Sequence, residues 1–511
     1  MSEFLLYYKR PDPTTWVYLS SFLTIGLYFV FHRFWSVRNL DIVLLILLAP
    51  GLLMVHEGRR RHLREMESGV IAEADPEDSI AAVLVTTSYE ATGDTNETSS
   101  DGRPAVVEPT IQQETNVPLV AEPEALDERL EQTALDPDSA ESAEEVSAKQ
   151  LQKNGFVLLF VVEMLILVRL MIDPMMNRRP LLDPNLKIGG LYFISICLFI
   201  FMMANVATST PRTRVWQGPE LGPGYALMHK LPTITTRPVS AALAGAEPAT
   251  EDELDLAQKS RTLLAKILVI GAHLAVVVGI VLIANRHFGN LHAGVGCATL
   301  YLILPYTAQM TGRVDHAVPA ALLLWAVLNY RRPMLAGLFI GLAAGLVYYP
   351  LFLLPLWCSF YWQRGVRRFA VGVAATLVFL MLLLSLGGTD TLIDHLRWMY
   401  GLFPPTNEPR GIWGLGWSPV WRLPVIVAFA ILSFFFAAWP SPKNLGALIG
   451  CSAAVMVAAQ FWHGYGGGLY IAWFLPLLLL TIFRPNLQDR IALKVVDRRQ
   501  SGSLSGRIQS M

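Results

Sequence analysis

Charge is scarce in this chain. Asp, Glu, Lys and Arg make up 16% of its 511 residues, where a soluble domain carries about 25%. That shortage excludes an ordinary water-soluble globule as the whole molecule. Cysteine is scarcer still, with Cys197, Cys297, Cys358 and Cys451 the full set. Each sits inside an apolar run, which excludes a disulfide framework and leaves them as small core residues. There is no glycine-rich phosphate loop, no His or Cys pair at metal-ligand spacing, and no nucleic-acid signature. A cleavable signal peptide is also missing, because the first apolar run, 16–35, has no small-residue cleavage site before its polar flank. The formal net charge of -1 excludes little, since charge is segregated along the chain.

Apolar residues are abundant instead, at 53%. They gather in runs near the roughly 20 residues that a helix needs to cross the bilayer. The runs are solidly apolar rather than alternating, which argues for helices and against a barrel. Lipid offers no partner to backbone N–H and C=O groups, so each run must satisfy its own as a helix. The candidate spans are 16–35, 40–56, 155–172, 188–206, 263–284, 294–310, 315–330, 334–362, 369–387, 423–439, 443–460 and 468–484. The sequence therefore predicts an all-α polytopic membrane protein with about 12–13 transmembrane helices. The 334–362 stretch is one overlong helix or two short ones, with Pro350 near its middle.

Residues 66–150 change character. Asp, Glu, Ser, Thr, Pro and Ala dominate, and Arg103 and Arg129 are the only basic residues up to Ala148. Such a segment buries too little apolar surface to offset its ordering entropy, so it reads as a disordered acidic linker with a short helix near 123–150. The chain then divides into an N-terminal helix pair (1–65), the linker (66–150), an additional transmembrane helix with a polar turn (151–187), the main transmembrane domain (188–485) and a basic cytoplasmic tail (486–511).

Basic short loops stay in the cytoplasm. The tail after Phe483, the cluster Arg364, Arg367 and Arg368, and the pair Arg331 and Arg332 all favour that side. If 334–362 crosses twice, loop 207–262 and the turn 312–316 face outward, but Arg59, Arg60, Arg61 and Arg64 then fall outside as well. Either one N-terminal run fails to cross fully, or 334–362 crosses once. The location expected for the whole chain is the inner (cytoplasmic) membrane.

Several polar residues stand out against this background. Arg313, Asp315 and His316 occupy a short turn between apolar runs, where charge is costly unless it lines a polar cavity. They contact an acceptor, a phosphate or a metal, or Asp315 caps the helix that follows. His463 and Tyr465 precede Gly466, Gly467 and Gly468, which permit close backbone approach to a ligand or to a neighbouring helix. Asp390, Asp394, His395 and Arg397 open loop 388–422, and the spacing 390, 394, 397 puts those three on one face of a surface helix. Arg410 and Arg422 are phosphate-binding candidates by charge. Glu163 and Arg169 lie within a membrane run, six residues apart and so not i, i+4 partners, and Arg169 snorkels toward the interface.

The segment from Arg286 to Trp362 orders these features. A basic turn with Phe288-Gly289 leads to a helix ending at Pro305-Tyr306, then the Gly312–His316 turn, a helix, `RRP`, `AGLFIGLAAGL` and `YPLFLLPLW`. Together with `HGYGGGLYIAWFLPLLLL` from His463, this order resembles the GT-C superfamily of integral-membrane glycosyltransferases, above all its bacterial mannosyl- and arabinosyl-transferase members. The resemblance covers 188–485. It implies a cavity on the non-cytoplasmic side, entered from the bilayer by a polyprenyl-phosphate-linked sugar, whose anomeric carbon an acceptor hydroxyl attacks. It implies a carboxylate as base and a cation, from Arg, Lys or a divalent metal, on the departing phosphate. No other cofactor is implied, and the partners are the lipid-linked sugar and membrane lipid rather than nucleic acid. The family places its carboxylate early in the first large outer loop. Here that loop is 207–262, and its only acid before Glu247 is Glu220, in a turn-rich Gly-Pro setting. Glu220 and Asp315 are thus the catalytic candidates, with Arg313, His316, Arg410, His463 and Tyr465 as substrate contacts. A non-catalytic GT-C-like scaffold and a lipid-linked-sugar transporter or flippase are the alternatives. A transporter favours matching broken helices in two halves, and only 334–362 is clearly broken.

Overall fold

The computed structural model describes residues 13–73, 137–176, 182–208, 211–212, 233–234, 256–363, 365–386, 411–415, 417–441, 443–464 and 466–485. Among them are fourteen α-helices: α1 (Pro13–Tyr28), α2 (Val37–Glu73), α3 (Pro137–Ile172), α4 (Ile188–Thr208), α5 (Leu256–Ile283), α6 (Leu291–Ile303), α7 (Pro305–Gln309), α8 (Val314–Leu328), α9 (Pro333–Leu346), α10 (Leu354–Tyr361), α11 (Val366–Leu386), α12 (Arg422–Ala438), α13 (Leu445–Gln460) and α14 (Leu475–Phe483). Among the described residues the one ladder is a two-residue antiparallel pair, Pro211–Arg212 with Thr233–Ile234. The chain is an all-α polytopic membrane protein. Five of its segments are long and apolar enough to cross a bilayer: Val37–Arg61, Val146–Met175, Ile188–Ala207, Thr262–Phe288 and Val366–Leu383. Six further apolar helices are shorter.

The apolar runs locate the helices, and local chemistry sets their ends. Run 16–35 stops being α-helical at Tyr28 because the Asn39 side chain takes over the backbone there. Its Nδ2 donates to the Val30 and Arg33 carbonyls at 2.8 and 3.1 Å, and its Oδ1 accepts from the Val30 N–H at 3.0 Å. Run 294–310 splits at Leu304, which precedes Pro305 and adopts ψ 134°. Run 334–362 falls into three pieces: α9 ends at Leu346, a 3-10 turn covers Tyr349–Leu353 around Pro350, and α10 follows. Run 468–484 is α-helical only from Leu475, after a 3-10 turn at Ile471–Trp473.

The described residues form two compact units, 54–152 and the remainder. In the first, helical arms reach into the linker from both sides, since α2 runs to Glu73 and α3 starts at Pro137. A Cβ on Gly58 would press on the backbone at Ala148 and Gln152, so these arms pack closely. Linker residues 74–136 lie outside the described residues. In the second unit, α5 packs on α8, α8 on α9 and α9 on α11. The last of these contacts rests on small residues. A Cβ on Gly337 would overlap the Phe369 carbonyl and one on Gly341 would overlap Thr376, while Gly372 meets Met334 from the other side. Close backbone approach of this kind is how membrane helices associate without a hydrophobic driving force.

Candidate functional site

The turn between α7 and α8 brings several polar side chains together, Asp315 and His316 buried among them. Arg313 is the N-cap residue of α8. Its guanidinium donates to both carboxylate oxygens of Asp315, Nε to Oδ1 at 3.0 Å and Nη2 to Oδ2 at 2.9 Å. This two-pronged geometry is the strong form of a charge-assisted pair. Asp315 therefore does not cap α8 with its side chain; it is committed to Arg313. Burial pushes the Arg313 guanidinium down, but the Asp315 carboxylate more than offsets this and holds it above its ordinary value.

His316 is the next member. Its Nδ1 meets the Tyr306 hydroxyl at 2.5 Å, and its Nε2 lies 3.6 Å from Asp315 Oδ2. Trp473 Nε1 donates to the Asp315 backbone carbonyl at 3.1 Å, which brings the chain before α14 against the start of α8. The imidazole of His316 stacks on Tyr470, with ring centres 4.6 Å apart. On the other side of Tyr470 stands His463 at 4.5 Å, and beyond it Tyr349 at 5.1 Å. Burial first, then the nearby Arg422 guanidinium, push the His463 imidazole down to about 3, against the pull of Asp315. His463 is thus a neutral ring at physiological pH. Arg422 donates from Nε to the Trp462 carbonyl at 2.7 Å, at the edge of the same group.

The loop carrying His463 owes its shape to the glycines after it. Gly466 and Gly468 have φ of 91° and 88°, a region open to glycine at little cost. A Cβ on Gly467 would overlap the Gln460 carbonyl, so what the glycines approach is the end of α13.

An apolar cavity of about 470 Å³ lies in the same unit, separated from the cluster by aromatic rings. Phe160, Met164 and Leu167 of α3 line one wall, and Val425 and Phe429 of α12 and Phe461 line others. A chain of rings connects cavity to cluster: Phe429 to Trp462 at 5.4 Å, Trp462 to Tyr349 at 5.0 Å, then Tyr349 to His463. Asp315, His316, His463 and Tyr349 are all buried, and Arg313, 21% exposed on its side chain, is the open edge of the cluster.

Four of the residues singled out from sequence, Arg313, Asp315, His316 and His463, therefore share one site, and Arg422 borders it. Glu220, Arg410 and Tyr465 lie outside the described residues, as do Asp390, Asp394, His395 and Arg397. Tyr306, Tyr470 and Trp473 were not legible as site residues, because one aromatic among many in a membrane chain carries no signal. His273 was also missed. It bonds Tyr301 at 2.9 Å and the Thr311 carbonyl at 3.1 Å, and so braces the turn from α5.

Arg169 corrects an expectation. Rather than reaching for the interface, it is held by Asp41 of α2, with contacts of 2.8 and 3.0 Å, and by Asp173 at 3.1 Å. Asp173 also pairs with Arg484. Among the described residues no group of three or more His, Cys, Asp and Glu side chains could hold a metal ion. Comparison with protein families, curated proteins and solved structures found no match.

Proposed function

We propose that this protein is a membrane glycosyltransferase that moves a sugar from a polyprenyl-phosphate donor to an acceptor hydroxyl, in the cytoplasmic membrane and on its non-cytoplasmic side. The observation that carries the reading is the union of two features a lipid-linked sugar needs: a cation-bearing, aromatic-walled polar cluster and, linked to it by a chain of aromatic contacts, an apolar cavity. Aromatic faces suit the C–H face of a sugar ring, and an apolar cavity suits an isoprenoid chain. The GT-C-like order of turns and helices supports the same assignment.

In this reading the acceptor oxygen attacks the anomeric carbon as the bond from that carbon to the phosphate oxygen breaks. The acceptor proton passes to a carboxylate, and the departing phosphate keeps the electron pair of the broken bond. Arg313, oriented by Asp315, and Arg422 are the cations available to that phosphate. Both oxygens of Asp315 are engaged by Arg313, which lowers its value as a base. Glu220 is therefore the first choice for the proton acceptor and Asp315 the second.

The test is transfer of radiolabelled sugar from a panel of polyprenyl-phosphate donors by purified wild type, Glu220→Gln and Asp315→Asn. Loss of a general base costs about 10²–10⁴-fold in rate, and at least one variant should fall by that much. Full activity in both variants removes the two residues from the mechanism. An inactive wild type across the panel supports the scaffold reading, which the burial of Asp315, His316 and His463 favours.

A further inference from the structure

Helix α3 buries one stripe of its surface. Phe156, Leu159, Ile166 and Leu170 lie on it, each 0–1% exposed, at the 3- and 4-residue steps of a helix-packing seam. The position between Leu159 and Ile166 on that stripe is Glu163, also 0% exposed. Neither of its carboxylate oxygens has a hydrogen-bond partner among the described residues. An acid thus stands where the seam otherwise holds Phe, Leu and Ile, within the membrane-length segment Val146–Met175.

The charges that could balance it are already committed. Arg169, two helical turns along, is occupied by Asp41 and Asp173. Arg484 is occupied by Asp173, and Arg422, whose Nε donates to the Trp462 carbonyl, makes no hydrogen bond to Glu163. Cys451 on α13 is a buried thiol and offers no positive charge. The helix α14 carries no titratable group. An ionised carboxylate stripped of both water and partners is heavily penalised, and the neutral acid is far less so.

We propose that Glu163 is a proton-binding site inside the membrane, holding its proton in the folded state and open to modification by apolar carbodiimides. The modification is a pure addition. The carboxyl oxygen bonds to the central carbon of the carbodiimide, and the carboxyl proton moves to one of its nitrogens. The resulting O-acylisourea, shielded from water, rearranges by an oxygen-to-nitrogen acyl shift to a stable N-acylurea. Only a protonated carboxyl in apolar surroundings meets both conditions. The inference is independent of the glycosyl-transfer reading.

The full-length protein in membranes is treated at neutral pH with dicyclohexylcarbodiimide or with a water-soluble carbodiimide, and adducts are mapped by peptide mass spectrometry. The apolar reagent should modify Glu163, and the water-soluble one should leave it untouched while reaching the half-exposed Glu57. Unfolding before treatment should lower the Glu163 adduct by at least about tenfold, one pKa unit's worth of ionisation, and Glu163→Gln should abolish it. The proposal is overturned if the folded protein yields no Glu163 adduct, if the water-soluble reagent labels it equally, or if unfolding leaves the yield unchanged. The unfolding arm uses wild type, so the outcome stands even where Glu163→Gln fails to fold.

Discussion

Arg169 is 11% exposed on its side chain and Asp41 4%, so their pairing replaces nearly all the water each would hold. The Arg169–Asp173–Arg484 extension adds a second anion and a second cation, and the four charges lock α2, α3 and the end of α14 together. Removing one member of such a buried network leaves a stranded charge and costs about 3–5 kcal/mol. Thermal unfolding of the detergent-solubilised protein should therefore show a marked drop for Arg169→Gln. Partial recovery is expected when Asp41→Asn is added, because the stranded anion is then gone. An unchanged unfolding temperature in the single variant would remove this network from the account. Part of the network was legible in the sequence. Asp173 stands four residues after Arg169, the spacing of a helical ion pair, whereas Glu163 is six residues away and off that spacing. The pairing with Asp41, 128 residues away, had no local signal.

At the scale of elements, the apolar runs foretold most helices, because helix formation in lipid is enforced by backbone hydrogen bonding alone. Their ends were harder to read. The Asn39 side chain ends α1 from nine residues downstream, and the seven-residue segment before α14 bends under contacts made by Trp473 and Gln460. The run `AGLFIGLAAGL`, which contributed to the GT-C resemblance, has a packing explanation of its own. Its glycines at 337 and 341 seat α9 against α11 so tightly that no side chain fits. Gly341→Leu should force the two helices apart, with loss of monodisperse protein on size-exclusion chromatography, whereas Gly271→Leu, where a Cβ meets open space, should be tolerated. Equal behaviour of the two variants would contradict the tight α9–α11 seam.

For the whole molecule, the sequence left orientation open, and the division of 334–362 bears on it. The backbone leaves the helix at Val347, with φ -138° and ψ 120°, and the chain resumes only after the turn at Pro350. The sequence reading in which 334–362 crosses twice puts Arg331 and Arg332 in the cytoplasm and loop 207–262 outside, and a reporter fusion tests that reading. A reporter that works only in the periplasm or cell exterior, fused after Pro232, should be active; activity of a cytoplasm-only reporter at that point would reverse the orientation. The site itself was half legible. Arg313, Asp315 and His316 stood out because charge is expensive between membrane helices, but the series of ring contacts from His316 to Trp462 joins segments more than a hundred residues apart.

The central claim is that the polar cluster and the apolar cavity serve one lipid-linked sugar. Photo-crosslinking with a polyprenyl phosphate carrying a diazirine on its isoprenoid chain tests this most directly, with labelled peptides identified by mass spectrometry. The account predicts label on the segments 160–167 and 424–432, displaced by excess unlabelled polyprenyl-phosphate sugar and weakened by Arg313→Gln. Label spread over the lipid-facing helices with no displacement by the sugar-bearing lipid would contradict it.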